Sequence, residues 1–151
     1  MKKQPASETS AASTVTVLSV SPSEDDHATL QNIFNHSNWT LHQCRNLAAA
    51  TAFLKTHQVP VVVCEADLQD GTWKDALEQV SVMYHAPSLI VTSRLASDTL
   101  WSEVLNRGAY DLLAKPFDRD EVFRCVSSAW LHWKNQRVTA PNVLHALQAA
   151  G

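Results

Sequence analysis

The stretch "VVVCEADLQDG", Val61–Gly71, places four apolar residues directly before a cluster of acids and a turn glycine. A nearly continuous apolar run is typical of a central strand that is covered on both faces of a parallel sheet. A buried strand that delivers a carboxylate into a loop is also a common way to build a phosphate or metal site. The stretch therefore raises the question of whether Glu65, Asp67 or Asp70 takes part in chemistry.

Strand-like and helix-like segments alternate on both sides of this stretch. Upstream, "TVTVLSV" is rich in β-branched residues and predicts a first strand, and Ser23 is placed to cap the helix that follows. Downstream, "SLIVTS" and "YDLLAK" predict two more strands, each followed by a helix, and the last helix spans "DRDEVFRCVSSAWLHWKNQ". With "TLHQC" as a second strand, five strands alternate with five helices. This order predicts an α/β fold with a parallel sheet between two layers of helices.

Length and composition are those of one ordinary globular domain. The chain has 151 residues, 45% hydrophobic and 18% charged, with a net charge of −3. We expect a leader over 1–13 that does not fold, a domain over 14–137 and a short C-terminal tail over 138–151. The charge and the lack of a basic stripe argue against a nucleic-acid partner, and no apolar run predicts a membrane span. Three widely spaced cysteines without a CxxC pair predict thiols in a reducing cytoplasm.

Four polar segments follow the first, third, fourth and fifth predicted strands. In doubly wound folds ligands bind at the carboxyl ends of the strands, so these segments should meet although they lie far apart in sequence. The four segments are Ser21–Asp26, Glu65–Asp70, Thr92–Ser93 and Lys115–Pro116.

The sequence resembles the receiver domain of bacterial response regulators. "GAYDLLAKPFDRDEV" is similar to the fifth strand, Lys-Pro corner and last helix of that family, "LIVTS" to its switch strand, and "VVVCEADLQDG" to its phosphoacceptor strand. The resemblance runs from about Thr14 to Lys134. It implies a flavodoxin-like sheet of order 2-1-3-4-5. It also implies a set of five functional positions: an acceptor aspartate, an acidic pair that holds Mg²⁺, a Ser/Thr, a lysine and an aromatic residue.

Only part of that set is present here. The resemblance puts Lys115 at the lysine position, beside Pro116, and Thr92 at the switch hydroxyl, with Ser93 as the alternative. The acceptor position falls on Glu65, where the family has aspartate.

Other positions of the family pattern are also changed. The acidic pair falls on Ser21 and Pro22, and the aromatic switch position falls on Leu112, with Tyr110 as a substitute two residues earlier. The resemblance thus implies a degenerate receiver, or pseudo-receiver.

The changes predict a loss of Mg²⁺-dependent phosphorylation. Mg²⁺ requires oxygen ligands at about 2.1 Å in near-octahedral geometry, and Ser21 and Pro22 supply at most one weak oxygen. The extra methylene of Glu65 moves its carboxylate by roughly 1.5 Å, enough to spoil an in-line attack. Glu65 is instead expected to pair with Lys115, which would hold the domain near one signalling conformation. The simpler alternative is that Glu65 is a solvated acid at the entrance of a loop.

The remaining acids have simpler explanations. Asp25 and Asp26 fit the first turn of a helix, where the dipole favours negative charge; they are weak metal candidates that matter only if the helix begins later. Asp67 is expected to point away from the pocket, and Asp70 to belong to a turn. The seven histidines show no ligand spacing, which argues against zinc.

Taken together, the sequence predicts a stand-alone, non-enzymatic receiver module without a cofactor. It would act by contact with a histidine kinase, phosphotransfer or output protein of a two-component or phosphorelay pathway. Trp101, Tyr110 and Trp130, on or between the fourth and fifth helices, mark the expected partner face and a candidate homodimer contact. The alternative is a phosphorylatable receiver with a shifted acidic site and Mg²⁺. A more remote one is a flavodoxin-like cofactor binder that uses "SVSPS", in which Pro22 removes one N–H donor.

Overall fold

The five predicted strands form one parallel sheet. The structure, a computed structural model, describes the backbone of residues 15–150 and the side chains of residues 15–136. Each main strand pairs in parallel with its neighbours, in the spatial order β2-β1-β3-β6-β7. This is the predicted 2-1-3-4-5 order, with two short extra strands, β4 and β5, counted between the third and fourth strands of the sheet. The strands are β1 (Thr16–Val20), β2 (Thr40–Cys44), β3 (Val61–Glu65), β4 (Asp67–Leu68), β5 (Gly71–Thr72), β6 (Ser88–Ser93) and β7 (Asp111–Ala114).

Five helices within residues 15–150 cover the two faces of the sheet. Ser23, Asn46, Thr72 and Ser97 each accept a backbone N–H at the first turn of a helix, so four of the five helices begin at a capping side chain. The helices are α1 (Glu24–Phe34), α2 (Leu47–Thr56), α3 (Trp73–Ser81), α4 (Asp98–Asn106) and α5 (Arg119–Ala150).

Two apolar clusters fill the space between the sheet and its helices. On one face Leu18, Val62 and Val91 pack under α2, α3 and α4; on the other Val17 and Val63 pack under α1 and α5. The central strand β3 has all four of its apolar residues buried, as its composition predicts. Because side chains alternate along β3, this strand contributes residues to both clusters. Glu65 is the last residue of the strand.

Two differences from the prediction concern the ends of elements. Residues 67–72 form a small antiparallel hairpin, β4 with β5, where only a loop is expected from the sequence. Helix α5 continues to Ala150, so it runs through the segment assigned to a C-terminal tail. The expected leader over 1–13 lies outside the described residues. Among the residues that are described, no helix combines the length and the apolar character needed to cross a membrane.

Candidate functional site

The predicted loops meet at the carboxyl end of the sheet, held by backbone hydrogen bonds between neighbouring strand ends. The N–H of Ala66 donates to the carbonyl of Thr92 at 2.9 Å, and the N–H of Lys115 donates to the carbonyl of Ser93 at 3.1 Å. On the other side, the N–H of Ser21 donates to Cys44 at 3.0 Å. These bonds extend the ladders of the parallel sheet past its last residues. The side chains that follow each strand therefore have fixed positions.

The centre of the site is the ammonium group of Lys115. It lies 2.8 Å from Oδ2 of Asp26 and also forms an ion pair with Oε1 of Glu65. All three side chains are largely buried: 8% of Lys115, 6% of Asp26 and 14% of Glu65 is exposed. The expected pair of Glu65 with Lys115 is therefore present, and a second carboxylate joins it.

A hydroxyl from the neighbouring strand completes the contacts of Glu65. Thr92, on β6 directly beside the end of β3, donates its hydroxyl to Oε1 of Glu65 at 3.2 Å. Ser93 has a different role, because its hydroxyl accepts the N–H of Leu95 at 3.0 Å within the following loop. Of the two predicted hydroxyl positions, Thr92 is the one that reaches the site.

Asp26 reaches the site from the first turn of α1. Ser23 caps the helix, accepting the N–H of Asp26 at 3.3 Å, and the hydroxyl of Ser21 donates to Oδ2 of Asp26 at 2.7 Å. The sequence favours an ordinary first-turn role for Asp26 and brings it to the pocket only if the helix begins later, whereas the structure has Asp26 in the pocket, paired with Lys115. The helix does start where the sequence indicates. Asp26 points inward because it precedes the buried Leu30 by one turn and shares its face.

His27, the next residue, is a second component that the sequence analysis missed. Its side chain is 2% exposed and lies between Ser19 and Ser21, with Nδ1 3.0 Å from the Ser19 hydroxyl and Nε2 2.9 Å from the Ser21 carbonyl. A sequence signal did exist, since a residue three positions before Leu30 also faces the core in this helix.

The electrostatics of the site favour a charged lysine. Burial alone disfavours the ammonium of Lys115, but hydrogen bonds and Coulomb attraction from Asp26 and Glu65 outweigh it and raise the pKa above the usual 10.5. The two carboxylates and one ammonium leave the site with one net negative charge. No buried side-chain polar atom among the described residues lacks a hydrogen-bond partner, so this arrangement is fully satisfied.

A comparison with models of protein families identifies the family of this chain. The model of the response regulator receiver domain matches residues 17–127. The chain belongs to the response regulator receiver family. A search of curated proteins found no match.

Solved receiver structures share this fold at low sequence identity. The signal receiver domain of an HD domain-containing protein from Pseudomonas fluorescens Pf-5 superimposes with a TM-score of 0.75 at 24% identity, covering 82% of this chain and 92% of that one. The signal receiver domain of a putative Luxo repressor protein from Vibrio parahaemolyticus superimposes with a TM-score of 0.76 at 18% identity. The match covers 83% of this chain and 97% of that one. CheY from Borrelia burgdorferi, in a complex with CheX, BeF3 and Mg, superimposes with a TM-score of 0.70 at 22% identity. The match covers 77% of this chain and 89% of that one.

The positions that the resemblance assigns to the acidic pair do not supply a magnesium site. Ser21 donates its hydroxyl to Asp26, and Pro22 has no side-chain ligand. The two carboxylates present, on Asp26 and Glu65, are both engaged by the ammonium of Lys115. Asp25 is exposed, and no cluster of three or more His, Cys, Asp or Glu side chains suited to a metal occurs within the described part of the chain. The residues present therefore do not fit Mg²⁺ in this arrangement.

The loop acids after β3 lie outside the receiver pocket. Asp67 is exposed and pairs with Thr72 in the small hairpin, as expected for a side chain that points away. Asp70 does more than form a turn: its carboxylate accepts the N–H groups of Leu47 and Ala48, at 2.8 and 2.9 Å. These bonds, that of Leu47 first, lower the pKa of Asp70 and fasten the hairpin to the start of α2.

The position that the resemblance assigns to the aromatic switch holds a packed aliphatic side chain. Leu112 is 8% exposed and belongs to the cluster under α2, α3 and α4. Tyr110 packs on the opposite face of the sheet, where its hydroxyl lies 2.5 Å from the Ser128 hydroxyl of α5. Tyr110 therefore does not substitute for an aromatic residue at position 112, because the chain enters β7 at Asp111 and places the two side chains on different faces.

The predicted partner residues are divided between two surfaces. Trp101 on α4 is 48% exposed, with its indole N–H 3.4 Å from Asp111 on the edge strand β7. Trp130 on α5 is half-buried and contacts Lys134; it lies two turns after Phe123, whose ring packs on Phe34 of α1. Trp130 therefore belongs to the α1 side of α5, and only Trp101 and Tyr110 lie near β7.

Proposed function

We propose that this receiver domain acts by protein–protein contact, without being phosphorylated and without enzymatic activity of its own. Membership of the receiver family places the chain in two-component signalling. The observation that supports phosphorylation independence is the position of Lys115, which contacts Asp26 and Glu65 together.

The lysine of a receiver has a task that the contacts of Lys115 oppose. The family resemblance assigns it to the oxygens of a phosphoryl group, and so requires an ammonium that is free to meet a new anion. Here two carboxylates already occupy that ammonium, and the site carries one net negative charge. An incoming phosphoryl group would have to displace a carboxylate against this charge, without the neutralising metal that phosphoryl transfer uses.

Glu65 then serves as an internal anion. Its carboxylate accepts from both Thr92 and Lys115, the two residues that the resemblance assigns to phosphoryl contact. A longer acid at the acceptor position thereby joins β3, β6 and the loop after β7 through its own side chain. We infer that this holds the domain near one signalling conformation at all times.

One observation favours a second candidate function. Asp26 supplies a buried carboxylate close to the acidic-pair positions, so a receiver with a shifted acidic site would have one acid in reach of Glu65. In this alternative Lys115 would leave the carboxylates, and Mg²⁺ would bind them before phosphorylation.

Treatment with acetyl phosphate and Mg²⁺, followed by intact-protein mass measurement, separates the two. We expect wild type to gain no phosphate, while a phosphorylatable receiver treated in parallel gains one. A phosphate on wild type that is lost in Asp26→Asn would establish the shifted site instead. Mapping the adduct to a residue identifies the acceptor.

The partner is proposed to be another signalling protein, of the kinase, phosphotransfer or output class. Borrelia CheY, which is similar in fold, is described in a complex with CheX. In this chain the exposed indole of Trp101 beside the edge strand offers the contact, and the same surface is our candidate for a homodimer. The proposal places the protein in the cytoplasm, where reducing conditions suit the buried, unpaired thiols of Cys64 and Cys125.

A further inference from the structure

A buried imidazole lies directly beneath the site and belongs to none of the positions that define a receiver. His27 is 2% exposed and both of its ring nitrogens have partners. It joins β1, through Ser19, to the turn between β1 and α1, through Ser21. Because the ring is buried and fixed in orientation by two hydrogen bonds, we looked for its role in the residues that it positions.

The contacts of His27 define its tautomer. The partner of Nε2 is the Ser21 carbonyl, at 2.9 Å, and a carbonyl oxygen can only accept a hydrogen bond. Nε2 of the ring therefore carries the proton. In the neutral ring Nδ1 is then an acceptor, and the Ser19 hydroxyl, at 3.0 Å, donates to it.

Ser21 connects this imidazole to the ion pair. Its carbonyl accepts from His27, and its hydroxyl donates to Oδ2 of Asp26 at 2.7 Å, the same oxygen that Lys115 contacts at 2.8 Å. The hydroxyl oxygen of Ser21 also accepts the N–H of Ser23 at 3.1 Å. Ser21 is thus held at its backbone by His27 and orients Asp26 with its side chain.

We propose that His27, with a proton on Nε2, is a positioning residue that keeps Asp26 against Lys115. This rests on the proposed function, because it explains how the same pocket stays closed by its own ion pairs. The ring nitrogens of His27 bond to Ser19 and Ser21, so His27 acts on the ammonium and the carboxylates through Ser21. Loss of its Nε2 donor would free the turn and allow Asp26 to move away from Lys115. The ammonium would then keep Glu65 as its one carboxylate partner and open to water on the side of Asp26, so its protons would exchange faster.

A matched pair of substitutions tests the Nε2 bond alone. The amide of glutamine can replace the donor at Nε2, whereas the shorter asparagine amide reaches only the place of Nδ1. The readout is the slowly exchanging ammonium signal of Lys115 in ¹H–¹⁵N NMR, with the exposed His36→Asn as the control. We expect the signal to persist in His27→Gln and in the control and to be lost in His27→Asn. Persistence in His27→Asn would overturn the proposal.

A measurement on wild type keeps the test independent of whether the variants fold. Long-range ¹H–¹⁵N correlations of the imidazole ring report which nitrogen is protonated. The expected result is the Nε2–H pattern for His27 at neutral pH, and an Nδ1–H pattern would overturn the proposal. Phosphorylation of wild type in the mass experiment would reject the proposed function while leaving both of these results interpretable. The proposed function and the role of His27 can therefore be rejected independently of each other.

Discussion

Lys115 and Asp26 lie 89 residues apart in the chain, yet their charged atoms are 2.8 Å apart at the carboxyl end of the sheet. The contact closes the pocket between the first helix and the fifth strand of the sheet. Glu65 contacts the same ammonium from β3 between them. The domain thus has an internal charge network at the place where receivers take a phosphoryl group, and its consequences can be measured.

Removal of the ammonium should be strongly destabilising. Lys115→Met leaves Asp26 and Glu65 as two largely buried carboxylates without a counter-ion. We expect a loss of about 3 kcal/mol in the free energy of unfolding, at the low end for breaking a buried pair because Glu65 is partly exposed. Urea unfolding at neutral pH measures it. Lys74→Met, which breaks the exposed pair with Glu103, is the control and should lose less than about 1 kcal/mol. Equal losses would show that Lys115 is no more than a surface charge.

From neutral pH upward, the contribution of Lys115 to stability should change only under alkaline conditions. Its pKa in the folded chain is raised above the usual 10.5, so the folded state favours the protonated form. The resulting stability is fully present below pH 10.5 and is lost as the pH rises through the folded pKa. We expect the difference in unfolding free energy between wild type and Lys115→Met to stay level at neutral pH and to shrink above pH 10.5. Using the difference cancels the contributions that wild type and variant share. A difference that shrinks already below pH 9 would contradict the raised pKa.

Much of this site can be predicted from sequence because strand ends in a parallel sheet must converge. That rule brings Glu65, Thr92 and Lys115 together, and the charges of Glu65 and Lys115 predict their pair. Asp26 is harder to assign from sequence, because its place in the first turn already explains its charge without reference to the core. The inward direction follows from helix phase relative to Leu30, a constraint that applies to every polar residue near the start of a buried helix face.

Side-chain direction also limits what could be predicted for the aromatic residues. A tryptophan on an amphipathic helix can face a partner or a neighbouring helix, and composition does not distinguish these. Trp130 turns to the α1 side because α5 buries Phe123 there, two turns earlier. The hairpin at residues 67–72 depends on Asp70 reaching the start of α2, a contact between residues 22 and 23 positions apart that local turn preferences do not contain.

Asp70 should contribute to stability in an acid-sensitive way. Its pKa is lowered by the backbone bonds from Leu47 and Ala48, so the folded chain favours the carboxylate. The contribution is present above the ordinary pKa of 3.8 and is lost as the pH falls through the lowered value. We therefore expect Asp70→Asn to lower the melting temperature at pH 7 and to approach wild type under strongly acidic conditions. Asp67→Asn, an exposed acid on the same hairpin, is the control and should change little. A constant gap down to the lowest pH would rule out titration of Asp70 as its cause.

Trp101 should carry the largest share of any contact made by the edge of the sheet. Its indole is 48% exposed, an unusual fraction for this residue type, and it lies beside the charged side chain of Asp111. Partly exposed tryptophans of this kind are frequent hot spots, so Trp101→Ala should weaken self-association or partner binding by more than about 1 kcal/mol. Sedimentation analysis of the purified chain over a range of concentrations measures its self-association. The matched control is Leu131→Ala, a similarly exposed apolar residue on α5 at 51%. If wild type forms a dimer and Trp101→Ala associates as tightly, the contact lies on another surface, and the half-buried Trp130 on the α1 side is the next residue to substitute.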